Sequence, residues 1–206
     1  MKEFIGKKII LWDFDGVIVD SMAVREKGFW ETLSNFPKEQ VDKLITYHKK
    51  NGGLSRYVKF RYFFEEIRKE KADEKEVDKL SAEFSEIMRK RLVDKNILID
   101  EVVNFIRNNH ENFKMHIVSG SDGEELRFLC RELGISSYFI SIEGSPTPKI
   151  ELVENLLIKY KYKKEEACLI GDSINDKEAA ERNEIDFVGY NNTELENENG
   201  YIKSFR

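Results

Sequence analysis

A short apolar run that ends in two aspartates constrains the fold of this chain more than any other feature of its sequence. Residues 7–12 are predicted to form a strand, because residues 9–12 are apolar without alternation, as in a strand buried on both faces. Asp13 and Asp15 follow directly, and Gly16 comes next. Aspartate side chains resist burial unless they are paired or bind a metal. An ordinary polar turn is the simpler explanation of one such sequence, but later stretches of the chain indicate a site instead.

The hydrophobic pattern predicts strands that alternate with helices on either side of a purely helical stretch. The predicted strands cover residues 7–12, 113–118, 138–142, 167–170 and 185–188. Residues 21–92 show helical spacing only, with a break at residues 51–53. The polar tail from Asn191 is expected to pack back on the body at Tyr201 and Ile202. Strands that alternate with helices predict an α/β fold, a parallel sheet with helices on both faces.

Composition excludes several classes of protein. The chain has 206 residues, a net charge of −5 and a pI near 5.5, which argues against a non-specific nucleic-acid binder. No apolar run approaches the roughly 20 residues of a membrane span, and the first residues do not resemble a signal peptide. Cys130 and Cys168 lie in apolar segments and are expected to be buried free thiols. A cytoplasmic protein, monomeric or weakly dimeric, with no membrane or nucleic-acid partner is therefore predicted.

Three polar clusters each follow a predicted strand. They comprise residues 13–15, 119–121 and 172–176. Because ligands of such sheets bind beyond the carboxyl ends of the strands, the three clusters are expected to converge at one edge. Several acids in one site repel each other unless a cation is present.

The donors in these clusters favour magnesium over other metals. An all-oxygen site that keeps places for water and phosphate oxygens suits Mg²⁺. His48, His110 and His116 lack the spacing of zinc ligands. Residues 172–176 do not form a calcium loop, because Ile174 occupies a ligand position.

The same clusters contain the groups that phosphoryl transfer requires. An aspartate is already ionised at neutral pH and can attack phosphorus directly, which splits one displacement into two easier ones. A second carboxyl group can protonate the leaving oxygen and then activate water. The hydroxyl of Ser119 and the backbone N–H of Gly120 can hold phosphate oxygens, and a lysine can balance their charge.

These residues carry a resemblance to a known family. The stretch from Asp13 to Ser21, Ser119 after its strand, and the stretch from Gly171 to Asp176 resemble the first, second and fourth motifs of the haloacid dehalogenase superfamily, in its phosphatase and phosphoglucomutase branch. The resemblance implies a Rossmann-like core at residues 1–20 and 93–206. It also implies an inserted four-helix domain at residues 21–92, here termed the cap.

The resemblance also implies roles for individual residues. Asp13 would be the nucleophile and Asp15 the general acid and base. Magnesium would be held by Asp13, by the Asp15 carbonyl and by Asp172, with Asp176 assisting. The second acid, Asp15, argues against a true dehalogenase, whose first motif lacks it.

The third motif departs from the pattern of these relatives. They carry Lys-Pro-x-Pro, whereas this chain has Ser145-Pro-Thr-Pro148 followed by Lys149. We expect Lys149, at the start of a helix, to supply the ammonium group from a shifted position. An ordinary solvated lysine is the alternative.

The cap loop at residues 51–56 resembles the Gly-x-Ser-Arg loop of β-phosphoglucomutases. Ser55 and Arg56 are therefore expected to bind substrate, although Ser55 also suits the N-cap of a helix. Lys59 and Arg61 are expected to be exposed.

The predicted function is a magnesium-dependent phosphatase that hydrolyses a small phosphorylated metabolite, a sugar phosphate or a phosphoglycolate-like acid, through a phospho-aspartate. A sugar phosphomutase is the first alternative, but Arg25 stands where the mutases carry a histidine. A phosphonate-cleaving enzyme would need a cap lysine, for which Lys27 is available. A non-catalytic phosphate-binding protein is the last alternative, and the presence of every expected acid argues against it.

Overall fold

A computed structural model describes residues 2–198 and 200–206 and places its strands in one parallel sheet. The order across the sheet is β3-β2-β1-β4-β5-β6. The strands are β1 (Ile9–Trp12), β2 (Lys114–Asp122), β3 (Ser141–Ser145), β4 (Ala167–Gly171), β5 (Asp186–Tyr190) and β6 (Tyr201–Ile202). The predicted α/β fold with a parallel sheet is thus confirmed.

The helices fall into two groups along the chain. Those between β1 and β2 are α1 (Met22–Thr32), α2 (Lys38–Lys50), α3 (Arg56–Tyr62), a π-helical turn (Phe63–Arg68), α4 (Glu74–Arg91) and α5 (Asp100–Asn109). Those that alternate with the later strands are α6 (Gly123–Glu132), α7 (Lys149–Tyr160) and α8 (Ile174–Arg182). Short 3₁₀ turns complete the connections. Within the described chain, no helix is both long and apolar enough to cross a membrane.

The central strand β1 is buried on both faces, as its apolar run predicts. Ile10 and Trp12 pack into the hydrophobic cluster on one face of the sheet, and Ile9 and Leu11 pack into the cluster on the other. β1 pairs in parallel with β2 on one side and with β4 on the other, so that Ile9 lies level with Lys114 and Ala167. This register brings the ends of three strands to the same edge of the sheet.

The largest differences from the predicted strand boundaries concern β2 and β3, and the other strands differ by one or two residues. β3 begins at Ser141 because residues 136–138 form a 3₁₀ turn, and β2 continues to Asp122 through a register shift against β3. The tail packs back as expected: Ile202 lies in β6 and is buried, and the ring of Phe205 contacts Trp12. Two residues are too few for periodicity to reveal a strand, so β6 was not predicted.

The described residues 22–91 contain helices and no strand. Their interior is aromatic, with the ring centroids of Phe29 and Phe84 4.4 Å apart and Phe60 packed against both. Cys130 and Cys168 are buried free thiols, as expected.

Candidate active site

The carboxyl ends of β1, β2 and β4 surround one cavity, and α1 to α4 cover it. Asp13 follows β1 and donates its backbone N–H to the Ile170 carbonyl at 2.9 Å, which fixes it against β4. Ser119 and Gly120 lie near the end of β2, and Asp172 follows β4; all of them line the cavity. The cavity measures about 30 Å³, which is room for only a few water molecules. With the helices in this position, the site is closed.

Asp13, Asp172 and Asp176 form a tight acidic cluster, with one carboxylate oxygen from each within 4.8 Å of the others. Burial, followed by the neighbouring charge of Asp176, raises the pKa of Asp13 to about 7. Burial and the charges of Asp13 and Asp176 also raise the pKa of Asp172 well above its usual value. Like charges held this closely resist ionisation unless a cation joins them.

The acidic cluster fits a magnesium ion. Its donors are all carboxylate oxygens, which hard divalent cations prefer. Within the described chain, the side chain of Asp172 receives no hydrogen bond, so its oxygens remain available. Gly16 permits this arrangement: its φ is +77°, and a Cβ on it would overlap the Asp172 carboxylate.

Local structure on α8 holds Asp176 in place. Asp176 is the third residue of the helix and accepts from the Ser173 hydroxyl at 2.6 Å and from the Ser173 backbone N–H at 3.0 Å. Ser173 is the N-cap, and the two residues form a capping box. The N-terminus of α8, which follows the buried strand β4, thereby fixes Asp176 in the acidic cluster.

Lys149, the first residue of α7, extends into the acidic cluster. Its Nζ lies 2.8 Å from Oδ1 of Asp13 and also contacts Asp176. The side chain is buried, and despite the burial the two carboxylates raise its pKa, so it stays protonated. Lys149 in turn lowers the pKa of Asp13, but burial and the charge of Asp176 outweigh it, so the pKa of Asp13 remains high. The alternative of a solvated Lys149 is therefore wrong, whereas its service in place of the third-motif lysine stays a prediction.

Asp15 is not part of the acidic cluster and is held by three donors. Arg25 Nε lies 2.5 Å from Oδ1, the Ser121 hydroxyl donates to Oδ2 at 2.6 Å, and the Ser21 hydroxyl also donates to Oδ1. Burial opposes ionisation, but Arg25 and the hydrogen bonds outweigh it and hold the pKa of Asp15 below its usual value. Asp13 and Asp15 thus have environments that shift their pKa values in opposite directions.

The loop after α2 covers the site closely. A Cβ on Gly120 would collide with the carbonyl oxygen of Gly53, and a Cβ on Gly53 would lie 2.6 Å from the Ser173 hydroxyl. The Ser119 hydroxyl is buried and accepts from the backbone N–H of Ser121 at 3.1 Å. Glycines here allow two backbones to approach each other over the cavity.

The two cap residues predicted to bind substrate have protein partners in the closed structure. Ser55 is the N-cap of α3 and accepts from the backbone N–H of Val58 at 3.4 Å. Arg56 lines the cavity, but one of its nitrogens donates to Glu125 and to Ser85, each at 2.6 Å. Substrate binding by both residues stays a prediction.

Sequence reasoning missed several residues of this site. Lys59 was expected to be exposed, and that expectation is wrong: it is 3% exposed and lines the cavity beside His48. Arg61 pairs with Glu74 at the surface, where its side chain is 39% exposed.

One signal could have located Lys59. Arg56, Lys59, Phe60 and Phe63 follow the i, i+3, i+4, i+7 spacing of a buried helix face, so the two cations occupy positions that normally carry apolar side chains.

Known proteins provide the comparison. The family model described as "Haloacid dehalogenase-like hydrolase" matches residues 10–190. No curated protein matches the sequence. A predicted phosphoglycolate phosphatase from Haemophilus somnus 129pt superimposes with a TM-score of 0.77 at 18% identity, over 97% of this chain and 95% of that one. β-Phosphoglucomutase from Clostridium difficile gives 0.75 at 18% identity, over 97% and 92%.

A third solved structure, a mutant of CbbY from Rhodobacter sphaeroides in complex with xylulose-(1,5)bisphosphate, gives a TM-score of 0.75 at 16% identity, over 97% and 95%. Likenesses at these identities establish the fold. The family model covers most of the chain, and the sequence motifs lie within the residues that it matches. The chain therefore belongs to the haloacid dehalogenase-like hydrolase family.

Proposed function

We propose that this protein is a magnesium-dependent phosphatase that hydrolyses a small phosphorylated metabolite through a phospho-aspartate on Asp13. The observation that supports the proposal is that two neighbouring aspartates have different surroundings. Asp13 lies beside Lys149 and two further acids, whereas Asp15 is held separately by Arg25. The helices of residues 21–92 act as a cap, which must move aside to admit substrate because the closed cavity is too small for one. Its buried free thiols suit a reducing cytoplasm.

The reaction has two steps. In the first, a carboxylate oxygen of Asp13 attacks phosphorus, the bond from phosphorus to the ester oxygen breaks, and Asp15 gives that oxygen a proton. In the second, Asp15 takes a proton from water, which attacks phosphorus and releases inorganic phosphate from Asp13. Lys149 keeps Asp13 oriented, and the Ser119 hydroxyl and Gly120 N–H lie where they can bind phosphate oxygens. Bound magnesium would neutralise the acidic cluster and the phosphate, held by Asp13, the Asp15 carbonyl and Asp172, with Asp176 assisting.

A sugar phosphomutase remains the second candidate because a β-phosphoglucomutase shares the fold. The environment of Asp15 favours the phosphatase. Arg25 forms its ion pair with Asp15 from the position where the mutases carry a histidine, and it holds Asp15 in the basic form that activates water.

Phosphate release from a panel of phosphorylated metabolites, with magnesium and with chelator, tests the proposal. We expect selective, magnesium-dependent release that Asp13→Asn abolishes, because an amide does not attack phosphorus. The matched control is Asp186→Asn, which makes the same change at the start of β5 on an exposed residue. Interconversion of sugar phosphate isomers without phosphate release would instead establish the mutase. No turnover of any kind by folded protein would contradict both.

A further inference from the structure

The cap contains a buried lysine that the proposed reaction does not use. Lys59 Nζ lies 2.9 Å from Nδ1 of His48 and 3.0 Å from the carbonyl oxygen of Gly52. All three residues line the same cavity as Asp13 and Asp15. Burying an ammonium group beside neutral partners alone is costly, so such a group requires an anion.

Among the described residues, no carboxylate lies within ion-pair distance of Lys59. Arg25 and Arg56 also line the cavity, and both pair with the fully buried Glu125, at 3.1 and 2.6 Å. In the described part of the chain, Lys59 forms no ion pair with any carboxylate. Glu125 and Asp15, which also pairs with Arg25, together balance the two arginines and leave the lysine as the excess positive charge of the cap wall.

Two neighbouring groups also lack acceptors. His48 Nε2 and Arg25 Nη2 are buried and have no hydrogen-bond partner among the described residues. Because the Lys59 ammonium group can only donate to His48 Nδ1, the proton of the neutral imidazole is assigned to Nε2, which becomes a donor. A lysine, a histidine and an arginine on one cavity wall therefore all offer hydrogens. Buried donors of this kind normally have partners.

We propose that Lys59, His48 and Arg25 form a subsite for a second anionic group of the substrate, so that the substrate is a short phosphomonoester with a carboxylate or a further phosphate at its other end. The inference rests on the proposed function and narrows its substrate class. Donors without acceptors select an anionic oxygen group and disfavour an amine or a methyl group at that end.

The electrostatic environment of Lys59 supports this assignment. Burial and then the charges of Arg25 and Arg56 lower the pKa of Lys59 to about 7, while the charges of Asp15 and Asp13 oppose this shift. Burial and the charge of Lys59 lower the pKa of His48 to about 2, so its imidazole is neutral. An anion bound at Lys59 would favour the ammonium form and offset the cost of its burial.

Two matched pairs of esters test the proposal. 2-Phosphoglycolate is compared with ethyl phosphate, and glucose 1,6-bisphosphate with glucose 1-phosphate, so that each pair isolates one kind of second anion. We expect kcat/KM to favour the member with the second anionic group in one pair by about 10- to 100-fold, in keeping with one buried charged hydrogen bond. The pair that shows the preference identifies the anion.

Variants assign the preference to Lys59. Lys59→Met should remove most of the discrimination within the pair, and Lys59→Arg should retain part of it. The control is Arg61→Met on the same helix, which breaks a surface ion pair and should keep the discrimination of the wild type. Equal kcat/KM values within both pairs for wild-type protein would overturn the subsite, and so would unchanged discrimination in folded Lys59→Met.

Binding separates this proposal from the proposed function. With magnesium present, calorimetry on Asp13→Asn should show tighter binding of 2-phosphoglycolate or of glucose 1,6-bisphosphate than of its partner, and Lys59→Met should remove the difference. Lys59-dependent binding without phosphate release from wild-type protein would support the subsite and contradict the phosphatase. Phosphate release without preference in either pair would support the phosphatase and contradict the subsite.

Discussion

In the proposed mechanism Asp15 has two opposed duties, and its surroundings in the closed structure favour one of them. A general acid must be protonated before the first step, whereas a base that activates water must be ionised. Arg25, Ser21 and Ser121 all donate to its carboxylate, and the pKa of Asp15 is therefore lowered. The protonation of Asp15 that the first step requires therefore depends on Arg25, a cation of the cap.

Replacing this cation should alter the pH dependence of turnover. In Arg25→Gln the ion pair is lost while burial remains, so the pKa of Asp15 rises. The protonated form then persists to higher pH, and the alkaline limb of the kcat profile, measured with saturating ester and magnesium, shifts upward. The control is Arg91→Gln, which removes a surface ion pair with Glu31. An unshifted alkaline limb in Arg25→Gln would show that another group donates the proton.

The first turn of α6 forms most of the polar contact between the core and the cap. Asp122, its N-cap, accepts from the Tyr57 hydroxyl at 3.0 Å, and Glu124 lies 3.9 Å from Arg89. Glu125 accepts from Arg25 and Arg56 together and is completely buried. Acidic residues are favoured at the N-terminus of a helix. At the N-terminus of α6 they also hold Arg25 and Arg56 of the cap over the site.

Glu125 should therefore stabilise the closed cap. In Glu125→Gln the two arginines lose their shared counter-charge, and breaking a buried pair typically costs about 3–5 kcal/mol. We expect faster hydrogen exchange in α1 and α3 and a kcat/KM lower by at least tenfold. Glu124→Gln, on the same turn, should change neither quantity, because the long and exposed pair of Glu124 with Arg89 contributes little. Unaltered exchange in α1 and α3 of Glu125→Gln would mean that apolar contacts alone close the cap.

How much the sequence reveals differs between the two walls of this site. The core wall was predictable because Asp13 and Asp172 follow buried strands and Ser119 lies near the end of another, and a parallel sheet brings strand ends together whatever the details of packing. Even Lys149 was located, from its place at the start of a helix beside the third motif.

The cap wall was not predictable in the same way. Glu125 looks like any acid in a first helical turn, and Lys59 looks like a solvated lysine, because only the packing of four helices decides which polar side chains face inward. The two arginines of that wall meet Glu125 across 100 and 69 residues of chain, and no local pattern encodes such a pairing.

At the scale of the whole molecule, the acidic cluster connects folding to metal binding. The pKa of Asp13 is about 7 in the folded chain without metal, against about 3.9 for an aspartate in an unfolded one. The folded state therefore binds the proton more tightly. Its contribution to stability is present below the unfolded value and is lost as pH rises towards 7. Asp172 acts in the same direction.

Magnesium at the proposed site should reverse this loss, because the three carboxylates are brought together in the folded state only. We expect the increase in Tm caused by magnesium to be small at pH 5 and to grow up to pH 8, as the protons that compete for the same oxygens leave. Thermal unfolding at fixed ionic strength, with chelator or with magnesium, measures the difference.

The variant Asp172→Asn tests whether the acidic cluster, and not another titrating group, causes this pH dependence. Removing one of three mutually repelling carboxylates should raise the Tm of the metal-free protein at pH 8, while the increase caused by magnesium largely disappears. Asp186→Asn changes an exposed aspartate to the same amide and should do neither. A magnesium response independent of pH, or one retained in Asp172→Asn, would place the metal elsewhere. If both effects are observed, the acidic cluster destabilises the metal-free fold, and a bound divalent cation removes that destabilisation.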